Sequence, residues 1–467
     1  MSWWRSIITN LPEVAAPTQR KLSFKEKLKW TLIILVLFFV LGMVPLFGLG
    51  QNALQRFELL SVILGAQMGS ILSLGIGPLV TASIVLQLLN GSGIVKFDLN
   101  SKEGRQTFQG VQKAGSVFFI IFEACIYVFM GGLAPAPELL GTAAFFQLEL
   151  VLIFQLVLGG LLVMFMDEVC SKWGFGSGVS LFIAAGVSQS VFIRALSPLP
   201  SPTNPSIATG AIPALFQSLS AGDPQTALLM IAGVVSTVLV FVVAVYAQAM
   251  KVEIPLSFGR IRGHGIRWPL SFIYTSNIPV ILVSALLANI QLLARLFENW
   301  GFPILGRFSG GTPVSGLVSL IASPDMVGKG IRGSITFGDV WHSLIYILIM
   351  LTGCVIFAWF WVQTSGMDAK AQAQKIMASG LQIPGFRKDA RVLERLLNRY
   401  ITPLTVMGSI AVGILASIAD LSGALTSGTG LLLTVMIVYK LYEEIAKHHM
   451  MDMNPMLRKF MGGGAAF

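Results

Sequence analysis

The sequence predicts an all-α polytopic membrane protein with ten transmembrane helices, and three observations carry that prediction. The 467-residue chain is 54% hydrophobic and only 12% charged, with a mean hydropathy of +0.77. A soluble domain carries about 25% charge, and so few charges cannot cover a water-facing surface of this size. Ten apolar runs have membrane-crossing length. Of 32 Lys and Arg, 26 then fall on the side that holds the N-terminus and six on the other. A cytosolic enzyme, a disulfide scaffold and a disordered chain are excluded together.

A hydrocarbon core of about 30 Å needs about 20 apolar residues as helix. Such runs lie at 30–49, 73–90, 115–133, 143–166, 177–193, 227–250, 272–294, 341–362, 402–419 and 424–446. The segment before the first run, 1–29, holds six basic residues and is placed in the cytoplasm. No small-residue cleavage site follows a short apolar core, so the first run is expected to stay as a helix. Positive-inside counting supports ten spans with both termini cytoplasmic, whereas nine or eleven would scramble it.

The chain divides into a first half, 30–196, an external connection, 197–226, and a second half, 227–446, followed by a tail, 447–467. The connection begins with the Pro-rich stretch Ser197 to Pro205. Five spans per half invert the second half relative to the first, a layout common among membrane carriers. The second half has cytoplasmic loops at 251–270 and 363–401. The latter is expected to hold two helices, Asp368 to Ser379 and Lys388 to Tyr400, around Ile383-Pro-Gly-Phe-Arg387. The external connection 295–340 contains Gly-, Ser- and Pro-rich stretches.

Residues 51–72 are of another kind. Gln55 to Leu64 reads as a half-helix too short to span, with Arg56 and Glu58 near its start. Gly65, Gly69 and Leu74-Gly-Ile-Gly-Pro78 follow. Either it re-enters the membrane against protein or a cavity, or it lies on the outer surface. The residues alone leave both open.

Little enzyme chemistry is present. There is no Walker loop and no His-Glu-x-x-His, and the four histidines are His264, His342, His448 and His449. Adjacent histidines on a helix diverge. Cys125, Cys170 and Cys354 lack zinc-type spacing, so neither a metal site nor a disulfide framework is expected. The sequon Asn90-Gly-Ser92 falls on the cytoplasmic side, where it is inert. Two acids, Glu123 and Glu149, lie well inside spans, with Thr81, Gln87, Asn277 and Asn289 adding hydrogen-bonding capacity. Intramembrane charge is ordinarily functional, yet a proton-coupled carrier would be expected to place more of it. Ile76 with Val80, and Val179 with Ile183, each share a helix face at i, i+4. Pairs of this kind ordinarily face lipid or a neighbouring helix.

Several strings resemble the SecY family, the large subunit of the protein-conducting channel, in its archaeal form. They include Phe24-Lys-Glu-Lys-Leu-Lys-Trp30, Leu74-Gly-Ile-Gly-Pro-Leu-Val-Thr-Ala82, Phe182-Ile-Ala-Ala-Gly-Val-Ser-Gln189, Val252-Glu-Ile-Pro-Leu256, Ser276-Asn-Ile-Pro-Val-Ile281 and Gly385-Phe-Arg387. They run in family order over about 1–446; the tail Met461 to Phe467 is not part of the resemblance.

The resemblance implies a clamshell of two inverted five-helix halves around an hourglass pore. It implies a pore ring of Ile76, Val80, Val179, Ile183, Ile281 and Leu433, whose narrow apolar throat dewets and resists ions. A plug maps to about 55–65, with Phe57, Leu60, Ile63 and Leu64. A lateral gate between spans 2–3 and 7–8 makes Thr81, Glu123 and Asn289 its polar cluster. Ribosome contacts map to Arg260, Arg262, Arg387 and Lys388, where loop arginines suit phosphate. The implied partners are small SecE and Sec-beta membrane subunits in a heterotrimer, the ribosome, signal sequences with nascent chains, and membrane lipid. The expected function is a passive protein-conducting channel of the cell membrane, with no cofactor. The rival is a secondary transporter for a small solute, which would need a polar midplane site in place of an apolar ring.

Overall fold

Ser23 starts the first helix by a reciprocal cap. Its hydroxyl accepts the Glu26 N–H, and the Glu26 carboxylate accepts the Ser23 N–H, satisfying two amides that a helix start leaves open. The computed structural model describes residues 11–18, 22–50, 69–91, 94–95, 97, 101–129, 132–200, 207–258, 265–275, 277–299, 301–309, 312–378, 381–382 and 390–453.

The first half contains α1 (Phe24–Gly42), α2 (Gly77–Gly91), α3 (Lys102–Phe129), α4 (Ala143–Trp173) and α5 (Gly178–Leu196). A short helix, α6 (Ala211–Ala221), leads into the second half. That half begins with α7 (Pro224–Ala249), the strands β1 (Lys251–Phe258) and β2 (Gly265–Ser271), and α8 (Ile278–Asn299). Next, β3 (Gly306–Ser309), β4 (Thr312–Gly316), α9 (Leu317–Ile321) and α10 (Met326–Ile331) precede α11 (Phe337–Thr364). Then come α12 (Ala369–Ala378), β5 (Leu381–Gln382), α13 (Ala390–Leu421) and α14 (Gly428–Met453).

Ten of these helices match the ten apolar runs. By length and composition seven qualify alone to cross a membrane: α3, α4, α5, α7, α8, α11 and α13. The other three depart for visible reasons: α1 opens on Lys25, Glu26, Lys27 and Lys29, α2 has 15 residues, and α14 carries Lys440, Glu443 and Glu444.

Several boundaries differ from the sequence reading. The first helix stops at Gly42 instead of 49, because residues 44–46 pair with the returning chain. Leu46 N–H donates to Gly69 O at 2.9 Å and Ile71 N–H to Val44 O at 2.9 Å. Residues 71–76 are turns, with Gly75 at φ +55°, and helix begins at Gly77, where Pro78 fits a first turn. The expected separate helix Lys388 to Tyr400 and the ninth span are one helix, α13, despite Pro403 inside it. Its stripe of Leu393, Leu397, Ile401 and Leu404 is buried continuously across the proline, so packing overrides the missing N–H.

One core cluster draws on both halves, from Ile34 and Phe38 of α1 through Phe182 of α5 to Met350 of α11 and Leu432 of α14. Phe38 and Phe182 stack with centroids 4.6 Å apart and planes 8° from parallel. A separate core joins Ile254 and Leu270 to Ala373 and Leu397. There β1 pairs antiparallel with β2 over Lys251–Ser271 and Ser257–Gly265, and with β5 at Ser257–Gln382 and Phe258–Leu381. The α7–α8 and α11–α13 connections of the second half therefore share one three-stranded sheet.

Near the N-terminus, residues 13–15 strap the last turns of α4. Val14 N–H donates to the Glu168 carboxylate at 2.9 Å, Lys172 to Val14 O at 2.6 Å and the Trp173 indole to Ala15 O at 2.9 Å. Lys113 of α3 pairs with Glu168, and Lys172 with Glu13. The hydrogen-bonded Lys172 ammonium holds the Glu13 carboxyl below its ordinary range.

Glycine fixes the closest approaches. A Cβ on Gly159 would come 1.8 Å from the Ile71 carbonyl oxygen, and one on Gly428 would come 1.9 Å from the Ala419 carbonyl carbon. Gly159→Ala forces the 69–76 return off α4 and should cost about 1–3 kcal/mol, the scale of an overpacked core. Gly338→Ala, in an open first turn with its nearest neighbour 3.7 Å away, should be neutral. Thermal unfolding in detergent compares the two; equal midpoints would mean that the approach at Gly159 is slack.

Candidate functional site

α8 lines a cavity of about 840 Å³ along one face, through Ile281, Ser284, Ala288, Gln291 and Arg295. At 1.5 Å per residue, Ile281 to Arg295 covers about 21 Å. The ends of this face differ in chemistry. Ile281 sits near the start of α8, and Ile76, Val80, Ile183 and Leu433 line the cavity with it. These five come from the turn before α2, from α2 itself and from α5, α8 and α14, and so from both halves. Ile76, Val80, Ile183 and Leu433 are only 2–6% exposed and belong to the central core. Aliphatic side chains of several elements thus close on one another at the inner end of the cavity. Val179 lies outside the lining; it packs half-buried against the central core and the α3–α4 core, one turn before Ile183.

The outer part of the lining is polar. Arg194, Asp325, Lys329, Ser427 and Thr429 contribute to it. Arg194 donates to Leu425 O at 3.2 Å, tying the end of α5 to the connection before α14. Asp420 accepts the Tyr346 hydroxyl at 2.7 Å, the Thr429 N–H at 2.7 Å and the Thr429 hydroxyl. A carboxylate at the end of α13 therefore fixes α11 and the first turn of α14. Sequence reading missed Asp420, which stands at the end of an apolar run just before Ser422-Gly423. Its signal was the pair of small residues Gly428 and Thr429 nearby, which let the next helix approach. Arg295 is nine-tenths buried, with its guanidinium 4.7 Å from the Phe308 ring, and Glu298 accepts the Phe308 N–H at 3.0 and 3.2 Å. The outer β3–β4 hairpin is thus fastened to α8, and its Thr312, Pro313 and Val314 wall the cavity.

Thr81, Glu123 and Asn289, on α2, α3 and α8, meet at one side of the molecule. Asn289 Nδ2 donates to Thr81 Oγ1 at 2.8 Å, and that hydroxyl lies 3.1 Å from Glu123 Oε1 and 2.9 Å from Gly77 O. A hydroxyl has one hydrogen, so Thr81 serves Glu123 or Gly77 in turn. Around the cluster the seam between α2 and α8 is apolar, with Ala288 and Leu292 in the same core as Leu79 and Ile120. Farther along α2, a Cβ on Gly91 would meet the Phe360 ring of α11 at 2.4 Å. Gln87 is buried and donates to Ser83 at 3.0 Å, whereas Glu149 is half-buried on α4.

Phe57, Leu60, Ile63 and Leu64 lie outside the described residues, as do Arg260, Arg262, Arg387 and Lys388. The sheet that joins β1 to β5 ends close in sequence to both basic groups. Among the described residues no cluster of three or more His, Cys, Asp or Glu side chains has the geometry to hold a metal.

Residues 70–442 match a family model described as SecY. The chain is 47% identical over 456 residues to a protein translocase subunit SecY of Methanothermobacter thermautotrophicus, with 97% of each chain covered. It is 41% identical over 455 residues to that of Methanocaldococcus jannaschii, with 97% of this chain and 98% of the relative covered. Among solved structures it is similar to one described as a protein-conducting channel, with TM-score 0.82 and 41% identity over 95% of this chain and 97% of the other. It is also similar to Sec61 in the canine ribosome–channel complex from the endoplasmic reticulum, with TM-score 0.79, 41% identity and the same coverage.

The three-residue bridge across α2, α3 and α8 is directly testable. Thr81→Val removes the acceptor of Asn289 and the donor to Glu123, and each orphaned buried group costs about 1–3 kcal/mol. Asn289→Leu should destabilise similarly, and the double variant should lose less than the sum of the two. Unfolding in detergent measures all three, and strictly additive losses would mean that the two side chains do not interact.

Proposed function

The chain belongs to the SecY family, and from that membership we propose which of its residues form the throat, the side opening and the ribosome-facing surface. It is the central subunit of a protein-conducting channel, a multi-pass membrane protein through which polypeptides cross the membrane or pass sideways into lipid. The driving force comes from a partner and not from chemistry within the chain. Its place is the cell membrane, with both termini in the cytoplasm. It works with SecE and Sec-beta small subunits, with signal sequences and nascent chains, and with the ribosome.

The observation that carries this reading is the inner end of the cavity, where aliphatic side chains from both halves close together. Ile76, Val80, Val179, Ile183, Ile281 and Leu433 form the throat. An apolar constriction holds back ions by dewetting, while branched side chains yield to a polypeptide pushed between them. A small-solute carrier needs a polar site there, whereas Ile76, Val80, Ile183, Ile281 and Leu433 at the inner end are all aliphatic. Residues 55–65, with Phe57, Leu60, Ile63 and Leu64, act as the plug outside the throat. Thr81, Glu123 and Asn289 hold the side opening shut, because α2 and α3 belong to one half and α8 to the other.

Replacing Ile76 and Ile183 with Asn, singly and together, should wet the throat and raise resting ion conductance in planar bilayers. Conductance unchanged in all three variants would remove the throat from these residues.

The cytoplasmic reading rests on charge and on the shared sheet. Arg260 and Arg262 follow β1 in the sequence, and Arg387 and Lys388 follow β5, two strands that pair in one sheet. Arginine forks suit phosphates, and ribosomal RNA is a polyanion on that side. Changing Arg260 and Arg262, or Arg387 and Lys388, to Glu should reduce ribosome co-sedimentation and flatten its salt dependence by about 1 in log–log slope per lost phosphate contact. Insertion and small-subunit binding should survive. Wild-type ribosome affinity in both variants would leave the loops as topology signals only.

A further inference from the structure

The link between the halves contains a helix with three unlike faces. α6 is separated from α7 by Gly222, at φ +72°, and Asp223, whose carboxylate caps α7 by accepting the N–H groups of Gln225 and Thr226. With a two-residue connection α6 turns back along the outer turns of α7. At its other end, Gly210 N–H donates to Ser197 O at 2.9 Å, and a Cβ on Gly210 would lie 2.5 Å from the Ser197 nitrogen. The helix is thus fixed both to α5 in the first half and to α7 in the second.

At 100° per residue, Ala211, Ala214 and Ser218 fall on one face, and all three are buried. Gln217 and Ser220 fall on a second, exposed face, where Gln217 Oε1 accepts the Ala208 N–H at 2.7 Å. The third face is Ile212, Phe216 and Leu219, exposed by 38%, 68% and 61%. A short helix with one packed, one polar and one open apolar face fits the boundary of a bilayer. What covers the open face is indicated by its neighbour. Leu228, Ile231 and Val235 on the adjoining turns of α7 are exposed aliphatics of a helix long and apolar enough to cross a membrane, and α6 packs against that helix. α6 carries no charged residue, so its open face has no charge with which to pair a protein partner.

We propose that α6 is bedded in the outer leaflet with Ile212, Phe216 and Leu219 against acyl chains, so that lipid sets the depth of the link between the halves. This goes beyond the channel reading and does not depend on which residues form the throat.

Spin labels on Phe216→Cys, Leu219→Cys and Ser220→Cys test it in the full chain with its small subunits, reconstituted into phosphatidylcholine vesicles. Cys170 and Cys354 are buried, and half-buried Cys125 is replaced by Ala in a parent that serves as the blank. Collision with oxygen reports lipid, and collision with a water-soluble nickel chelate reports water. The expected result is high oxygen and low nickel accessibility at 216 and 219, with the reverse at 220. High nickel accessibility at 216 and 219 would place the face in water. Low accessibility to both reagents there would place a protein partner over it. Either outcome overturns the proposal.

Discussion

In hydrocarbon a backbone amide or carbonyl without a partner costs several kcal/mol, and most of the irregular structure here answers to that constraint. Where the chain leaves helix at 43–50 and 69–76, it pairs with itself. Val44 and Leu46 exchange hydrogen bonds with Gly69 and Ile71, and the turns at 71–76 bond within themselves. The whole return is then pressed onto α4 at Gly159, where a hydrogen is the largest substituent that fits. That packing sets where α2 begins, and with it the positions of Ile76, Val80 and Thr81. The placement of the proposed throat residues and of one side of the α2–α8 seam therefore depends on one glycine opposite one carbonyl.

Polar side chains do the same work at the outer ends of the second half. Asp420 gathers Tyr346 and Thr429, Thr237 accepts the Leu425 N–H at 3.0 Å and Ser236 donates to Ser422 O at 2.8 Å. The connection from α13 to α14 is held from α7 and α11 as well as by its own helices. Gly428 makes room for it against Ala419 and Asp420. The narrow inner end of the cavity and its polar outer wall are separate devices. The first depends on close aliphatic packing and the second on a few buried hydrogen bonds.

Much of the architecture was legible in the chain. Helix-length apolar runs follow from bilayer thickness, so ten spans could be read before any coordinates. The cluster of Thr81, Glu123 and Asn289 was reachable only through family resemblance, since residues 42 and 208 positions apart carry no local sign of meeting. Periodicity was equally silent about Ile76 and Val80, because an aliphatic pair on one face serves lipid, core or pore alike. Helix ends were misjudged where tertiary contacts decide them, as at Gly42 and across Pro403. The β1–β5 pairing was out of reach for a related reason: β5 is two residues long, too short for any pattern of alternation.

Thr81 has a consequence for the work of parting the two halves. Its hydroxyl has two acceptors within reach, one on a neighbouring helix and one on its own backbone, Gly77 O. Both acceptors stay on the side of α2 and α3, and only the bond donated by Asn289 crosses to α8. Were α8 to withdraw, Thr81 would keep Glu123 or Gly77 O as acceptor, and Asn289 alone would need a new partner, which water or a polar chain can supply. The side chains of this cluster therefore tie α8 to α2 by a single hydrogen bond, about 1 kcal/mol. On the proposed reading of this cluster as a side opening, an apolar seam fastened by one such bond can part under a modest push and close again in the same register.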